Sequence, residues 1–149
     1  MSAVMTYGRQ YPNLSWSDVN EGDKLPELKL HMSFRRVIQD VAGTRDFFPG
    51  HHEPEYAKKQ NVKDIYINTM FFQGLIDRFV TDWAGPETFI RKRKIQMQVS
   101  VCAGDDAIVN GQVTKKWEED GQKLVQIELA VMNQEGAMCC PATVVAMLP

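Results

Sequence analysis

The hydrophobic pattern of this chain changes near Pro86, from helical spacing to strict alternation. Before Pro86, apolar residues recur three or four positions apart, as they do along helices with one buried face. After it, apolar and polar residues alternate over four successive stretches, as they do in β-strands with one buried face. We therefore predict helices before this point and an antiparallel sheet after it.

Three helices are predicted before Pro86, over residues 34–42, 54–60 and 68–83. Ser33 suits the N-cap of the first helix, and Gly43 suits its end. Pro54 is compatible with the first turn of the second. The third helix is apolar around well over half of its circumference, which indicates a helix buried on most sides.

A short strand is predicted over residues 25–32, and four more over residues 89–101, 107–117, 123–133 and 137–148. Short turns join the last four, so neighbouring strands should run antiparallel. Residues 1–24 are polar and lack a clear period. We expect them to form an irregular segment that Tyr11 and Trp16 anchor to a single domain spanning residues 1–149.

One long buried helix followed by consecutive antiparallel strands predicts an α+β fold. In this layout the sheet wraps around the helix, which is the hotdog fold. The sheet has an exposed edge, and one helix covers a limited area of it. We therefore expect a dimer or a higher even assembly that forms by edge pairing.

Composition narrows the function classes only slightly. The chain has 149 residues, of which 44% are apolar and 24% charged, and a net charge of −2. This balance predicts neither a nucleic-acid partner nor a membrane partner, and no apolar run is long enough to span a bilayer. The three cysteines lack metal-ligand spacing, and the N-terminus lacks a signal-peptide core. We expect a cytoplasmic protein without a metal site.

The candidate chemistry lies in the loop between the first two predicted helices. Asp46 and His51 are five residues apart, and Pro49-Gly50 between them favours a turn that brings their side chains together. A histidine beside a carboxylate can take a proton from water or return it near neutral pH. The loop alone is equally compatible with an accidental surface pair.

Two segments resemble one known family. The segment from Asp46 to His51, followed by Glu53-Pro54-Glu55-Tyr56-Ala57, resembles the hydratase signature of the MaoC-like (R)-specific enoyl-CoA hydratases, roughly Asp-x-Asn-Pro-x-His-x-Asp-x-x-Tyr-Ala. The segment from Thr69 to Leu75 resembles the start of that family's central helix, commonly Gly-Met-x-x-x-Gly-Leu. The resemblance runs from about Leu25 to the C-terminus.

The resemblance implies addition of water to a 2-enoyl-CoA thioester, or the reverse. Asp46 and His51 would hold the water and move its protons. The N–H groups of Thr69 and Met70 would bind the enolate oxygen. Phe48 and Gly50 would lie beside the substrate. The reaction needs no metal and no cofactor apart from coenzyme A within the substrate.

Two positions depart from the family pattern. Phe48 stands where the family has Asn, and Thr69 stands where it has Gly. These changes suit a subgroup that acts on long or bulky acyl groups, such as steroid side chains. They also suit a non-catalytic partner subunit of a hetero-oligomeric hydratase. Retention of Asp46 and His51 favours the active form.

Four further residues carry expectations of their own. Arg91 and Arg93 alternate on the first long strand and would share one face, from which they could bind a phosphate of coenzyme A. Gln73 and Asp77 share one side of the buried helix, where we expect hydrogen bonds at a dimer contact. If the protein were instead a hotdog thioesterase, Asp77 would be the acid that activates water.

Overall fold

The computed structural model describes residues 2–6 and 9–149, with side chains from residue 11 onward. The strands are β1 (Ser2–Thr6), β2 (Arg9–Asn13), β3 (Leu28–His31), β4 (Phe89–Ile95), β5 (Asp106–Glu119), β6 (Gln122–Met132) and β7 (Met138–Met147). The helices are α1 (Phe34–Thr44), α2 (Pro54–Lys59) and α3 (Thr69–Ala84). Every predicted helix and strand is present, and most ends agree within three residues.

Five strands form one antiparallel sheet in the order β3-β5-β6-β7-β4. The sheet curls around α3, whose buried side chains are Phe72, Leu75, Ile76, Phe79, Val80 and Ala84. Alternate residues of β5, β6 and β7 face this helix and are buried with it. The predicted hotdog fold is confirmed.

The strand predicted over residues 89–101 is shorter in the structure and ends at Ile95. Ile95 pairs with Ala142, so Pro141 is the next residue on the facing strand. The N–H group of Gln96 still donates to the carbonyl of Pro141, but proline has no N–H group to return a hydrogen bond. The regular ladder therefore stops, and residues 96–101 continue as an irregular segment in which the N–H of Gln98 still donates to the carbonyl of Cys139 at 2.9 Å.

The prediction that residues 1–24 are irregular is wrong. The strands β1 and β2 pair with each other as a separate two-stranded antiparallel sheet. This sheet packs near the end of α3, where Gly85 has a φ of 104° and an added Cβ would lie 2.0 Å from the carbonyl oxygen of Pro12. The alternation of apolar residues that reveals the other strands is absent here, so the sequence pattern missed both.

The first helix does not end at Gly43 as predicted. It continues to Thr44, and Arg45 takes the left-handed conformation with a φ of 59°. The hydroxyl of Thr44 donates to the carbonyl of Asp40 and accepts from the side-chain amide of Asn68. These bonds keep the last turn helical and tie α1 to the start of α3.

Trp16 anchors the segment before β3, as predicted. Its indole N–H donates to the carbonyl of Leu124 at 3.1 Å, and the ammonium of Lys116 lies 4.0 Å from the ring centre. The backbone N–H of the same residue donates to the carbonyl of Pro149. The segment is thus held against the end of the sheet where β6 begins.

Candidate active site

The loop from Asp46 to His51 forms a compact turn. Residues Pro49–His51 make one turn of 3-10 helix, closed by the N–H of His51 on the carbonyl of Phe48 at 3.0 Å. One carboxylate oxygen of Asp46 accepts the N–H of Phe48 at 3.4 Å. The other lies 3.5 Å from Nε2 of His51. The structure therefore brings the two predicted catalytic side chains together.

His51 is buried, and its hydrogen bonds fix its protonation pattern. Nδ1 lies 2.7 Å from the carbonyl oxygen of Tyr66. A carbonyl oxygen only accepts, so Nδ1 carries a proton and a neutral ring leaves its lone pair on Nε2, facing Asp46. The rings of Phe48 and Tyr66 contact the imidazole edge-on at 5.5 and 4.9 Å between centroids. The imidazole is thereby held in one orientation.

The absence of a side chain at Gly50 leaves room for the groups that pack around His51. A Cβ at this position would lie 2.5 Å from the hydroxyl of Tyr66, 2.9 Å from Oε1 of Gln60 and 2.9 Å from Cε1 of Phe48. The Tyr66 hydroxyl donates to that Gln60 oxygen, so the three atoms form one packed cluster. A larger residue would push apart the groups that surround His51.

The start of α3 offers free backbone donors beside the loop. Asn68 is the N-cap, and its Oδ1 accepts the N–H of Phe71 at 2.9 Å. The N–H of Asn68 itself donates to Asp40 at 3.0 Å. Within the described chain, the N–H groups of Thr69 and Met70 make no hydrogen bond. Both residues are exposed, and unpaired N–H groups at a helix start are the donors that bind anions.

A small cavity of about 150 Å³ joins His51 to the start of α3. Its walls are His51, the segment from Tyr66 to Thr69, and residues 97–100 after β4. The last segment was predicted to be strand and was not assigned to the site. In the structure it follows the end of β4 at Ile95 and lines the cavity.

A larger cavity of about 430 Å³ lies between α1 and α3. Most of its surface is apolar and includes Leu30, Phe71 and Leu75, and its polar groups belong to Arg36, Gln39, Asp40, Thr44 and Arg78. Thr44 also accepts a long hydrogen bond of 3.4 Å from the N–H of Asp46, so this cavity adjoins the loop from Asp46 to His51.

The four phenylalanines in the Asp46-to-His51 loop and at the start of α3 take different places. Phe71 lines the larger cavity, whereas Phe72 is fully buried in the core. Phe48 contacts His51 and Tyr56 edge-on and is 40% exposed. Phe47 is 67% exposed and lines neither cavity described above.

Asp40 is a site residue that the sequence analysis missed. It is only 6% exposed, and the charges of Asp46 and His51 both act on it. Burial raises the pKa of its carboxyl above the ordinary value. One signal was available in the sequence, because Asp40 lies three residues after Val37 and beside Val41 on the otherwise apolar side of α1.

The two arginines proposed to bind coenzyme A do not share a face. The register of β4 against β7 shifts between Ile90 and Lys92, so Arg91 occupies a bulge. Arg91 is exposed, whereas Arg93 points to α3 and forms an ion pair with Asp77. Strict alternation failed here because a bulge inserts one residue.

Gln73 and Asp77 also differ from expectation. Both bind Arg93 of the same chain, through the ion pair of Asp77 and hydrogen bonds of 3.3–3.4 Å from the guanidinium to Gln73. Their hydrogen bonds are therefore made within one chain, where a dimer contact had been expected. These contacts of Arg93 join α3 to the edge strand β4, which the sequence did not predict.

Among the described residues, no group of three or more His, Cys, Asp or Glu side chains is arranged to hold a metal ion. No helix in that part of the chain is long and apolar enough to cross a membrane.

A curated protein is similar to this chain in sequence. No family model matches the chain. The beta subunit of 3-oxo-4,17-pregnadiene-20-carboxyl-CoA hydratase from Mycobacterium tuberculosis is 39% identical over 93 residues, which are 62% of this chain and 72% of that protein. The chain belongs to the MaoC-like hydratase and dehydratase family. The resemblance seen in the Asp46-to-His51 segment is thereby confirmed.

Two solved structures have the same fold as this chain. A chain in the crystal structure of the ChsH1–ChsH2 complex from Mycobacterium tuberculosis has a TM-score of 0.79 and 34% identity, covering 87% of this chain and 98% of that one. The unliganded R-hydratase PhaJ1 from Pseudomonas aeruginosa has a TM-score of 0.84 at 23% identity, covering 95% and 89%. The second likeness supports the fold alone.

Proposed function

We propose that this chain hydrates a 2-enoyl-CoA thioester, or dehydrates the corresponding 3-hydroxyacyl-CoA, with Asp46 and His51 as the acid–base pair. The observation that carries the proposal is the arrangement of His51. Its Nδ1–H is fixed on the carbonyl of Tyr66, and its Nε2 lies 3.5 Å from Asp46. Two proton acceptors so close together suit a water molecule that donates to both, at about 2.8 Å from each.

The reaction follows from these positions. Nε2 of His51 or the Asp46 carboxylate takes a proton from the water, and the resulting hydroxide oxygen bonds to the β-carbon. Electrons of the double bond move to the thioester oxygen, where the N–H groups of Thr69 and Met70 stabilise the negative charge. The α-carbon then takes a proton from the pair. Loss of one such donor typically costs about 3–4 kcal/mol of barrier.

The acyl group is proposed to be large and ring-bearing. The cavity between α1 and α3 has a volume of about 430 Å³, within the range typical of small-molecule sites, and its walls are mainly apolar. Phe48 adds apolar surface beside His51, where the family has Asn. The curated relative is, by its name, a hydratase of a pregnadiene carboxyl-CoA. An acyl group of steroid size is consistent with all three.

We also propose that the chain works in an assembly with a related hotdog subunit. The relative is named a beta subunit, and a similar solved chain comes from a complex of two named components. Coenzyme A would lie against the exposed Arg91, whose guanidinium has no ion-pair partner within the described chain. Arg93 is a weaker candidate for the same role because Asp77 already holds it.

Two alternatives remain distinct from this proposal. A non-catalytic partner subunit would share the fold and the assembly without turnover, and the subunit name of the relative favours testing it. A thioesterase would need Asp77 as a free carboxylate. That role is less favoured, because Arg93 pairs with Asp77 and its other oxygen is buried without a partner among the described residues.

A substrate series tests the proposal. The protein is assayed alone and after co-expression with a related hotdog subunit, with crotonyl-CoA and with ring-bearing 2-enoyl-CoA esters, by loss of absorbance of the conjugated thioester. We expect the ring-bearing ester to exceed crotonyl-CoA by at least about tenfold in kcat/KM, which needs only about 1.4 kcal/mol of transition-state preference.

Each other outcome of the series has a defined meaning. If crotonyl-CoA were the best substrate, the bulky-acyl assignment would be abandoned. If no ester reacted under either condition while the protein bound coenzyme A esters, the partner-subunit alternative would replace the catalytic one. Release of free thiol without hydration would favour the thioesterase.

A further inference from the structure

Asp40 is a buried carboxyl group that the proposed reaction does not yet use. It lies one turn before the end of α1 and is 6% exposed. One of its oxygens accepts the N–H of Asn68 at 3.0 Å. The other is enclosed and has no hydrogen-bond partner within the described chain.

This environment disfavours a charge on Asp40. A carboxylate that is removed from water and has one unpaired oxygen carries a large desolvation cost. Burial raises the pKa of Asp40, while the backbone N–H of Asn68 and the charge of His51 lower it, and the Asp46 carboxylate raises it further. The net direction is upward, toward the neutral acid.

Asp40 also controls which donors remain at the start of α3. The N–H groups of Asn68, Thr69 and Met70 are consecutive at the helix N-terminus. Asp40 binds the first, and the next two are free in the described chain. The positive end of the helix dipole favours an anion at these free donors. An ionised Asp40 beside them would oppose the negative charge of an enolate.

Asp40 is not placed to contact the substrate directly. Asp40 lines the cavity between α1 and α3, but its unpartnered oxygen is enclosed by protein and closed to a ligand in that cavity. Its other oxygen is already bonded to Asn68. Asp40 therefore acts through Asn68, which also donates from its side chain to Thr44 at 2.6 Å.

We propose that Asp40, in its uncharged form, is a positioning residue that holds the N–H group of the N-cap Asn68 and leaves the N–H groups of Thr69 and Met70 for the thioester oxygen, without adding a negative charge beside them. This inference rests on the proposed hydration. It predicts that ionisation of Asp40 slows the chemical step, and that a neutral isostere at this position removes that loss.

Several charged groups face Asp40 and must be considered in a pH experiment. His51 and Asp46 act on it from the catalytic loop. Arg36 of α1 and Arg78 of α3 line the same cavity, but Arg36 donates to the carbonyl of His31 and Arg78 pairs with Asp82. The strand β3 contributes only Leu30 to this cavity.

The test compares Asp40→Asn with the unmodified protein across a pH range. The amide keeps an oxygen for the N–H of Asn68 and cannot ionise. kcat for a ring-bearing 2-enoyl-CoA is measured from pH 5 to pH 8.5. Asp46 and His51 are present in both proteins, so the ratio of kcat for the variant to kcat for the unmodified protein reports the loss of an ionisable group at position 40. We expect this ratio to rise with pH by at least about fivefold.

Two further variants separate positioning from general structure. Asp40→Ala removes the acceptor for Asn68, and we expect kcat to fall by about tenfold or more with little change in KM. Asp120→Asn makes the same carboxyl-to-amide change in the turn between β5 and β6, where the residue is exposed and lines neither cavity of the site. Its ratio of kcat to that of the unmodified protein should be constant with pH.

Each outcome either supports or contradicts the proposed role of Asp40. A pH-independent ratio for Asp40→Asn, or failure of this isostere to fold, would contradict the role of the uncharged form. Equal kcat for Asp40→Ala and the unmodified protein would contradict positioning. If the unmodified protein hydrated no enoyl-CoA, the proposed function itself would fail, and the inference about Asp40 would fall with it.

Discussion

At the scale of single residues, the site depends on which atoms of His51 are occupied. The carbonyl of Tyr66 holds Nδ1–H, so Nε2 is the atom left for chemistry. The sequence predicted that Asp46 and His51 would meet, because a Pro-Gly turn separates them. It gave no indication of the Tyr66 carbonyl, since a backbone acceptor 15 residues away leaves no side-chain signal.

Gly50 provides a test of packing at this scale. In Gly50→Ala, the new Cβ would meet three atoms of Tyr66, Gln60 and Phe48 at less than 3.0 Å. We expect a loss of about 1–3 kcal/mol in the free energy of unfolding, measured with urea, and a lower hydration rate because the groups around His51 move.

Gly43→Ala is the matched control for this variant. Gly43 lies inside α1, and a Cβ there would meet nothing within 4 Å. This substitution should stabilise the protein by about 0.5–1 kcal/mol, because alanine favours helix. Equal stability of Gly50→Ala and Gly43→Ala would show that the space at Gly50 is not needed.

At the scale of elements, the predicted helices and long strands are present because their periods are strong. The sequence-based predictions were wrong where a single residue alters the course of the backbone. Pro141 ends the pairing of β4, a bulge displaces Arg91, and Thr44 extends α1 past Gly43. The strands β1 and β2 lack an alternating pattern and were missed altogether. Asp40 was missed because its role depends on where α3 begins in space.

The N-cap of α3 provides the test at this scale. Asn68→Ala loses the acceptor for the N–H of Phe71 and the donor to Thr44. We expect a loss of about 1–2 kcal/mol in the free energy of unfolding, together with a lower kcat, because the free donors at Thr69 and Met70 lose their fixed direction.

Ser33→Ala is the corresponding control on another helix. Ser33 caps α1 by accepting the N–H of Arg36 at 3.2 Å and lies outside both cavities of the site. It should lower stability by about 0.5–2 kcal/mol and leave kcat unchanged. If folded Asn68→Ala kept the kcat of the unmodified protein, the N-cap of α3 would not be needed for catalysis.

At the scale of the whole molecule, the sheet has an edge that invites association. β4 pairs with β7 on one side, and within the described chain no strand pairs with its other side. Exposed apolar side chains lie in β4 and in the segment after it, including Phe89, Met97 and Val99. An unpaired edge beside exposed apolar groups favours contact with a second hotdog subunit.

Sedimentation tests this expectation. We predict a dimer or a higher even assembly at micromolar concentration, alone or with a related subunit, because a 149-residue hotdog chain leaves both features uncovered. A stable monomer of 17.0 kDa under both conditions would be incompatible with the expected assembly.

The most direct test of the central claim is the hydration rate of Asp46→Asn and His51→Ala with a ring-bearing 2-enoyl-CoA. His31→Ala is the matched control, since His31 is an exposed histidine on β3 that bonds Asp106 away from the site. Acid–base groups typically contribute about 10²–10⁴-fold, so both site variants should lose at least about a hundredfold in kcat while remaining folded, and the control should lose nothing comparable. Near-wild-type turnover by folded Asp46→Asn would contradict the account.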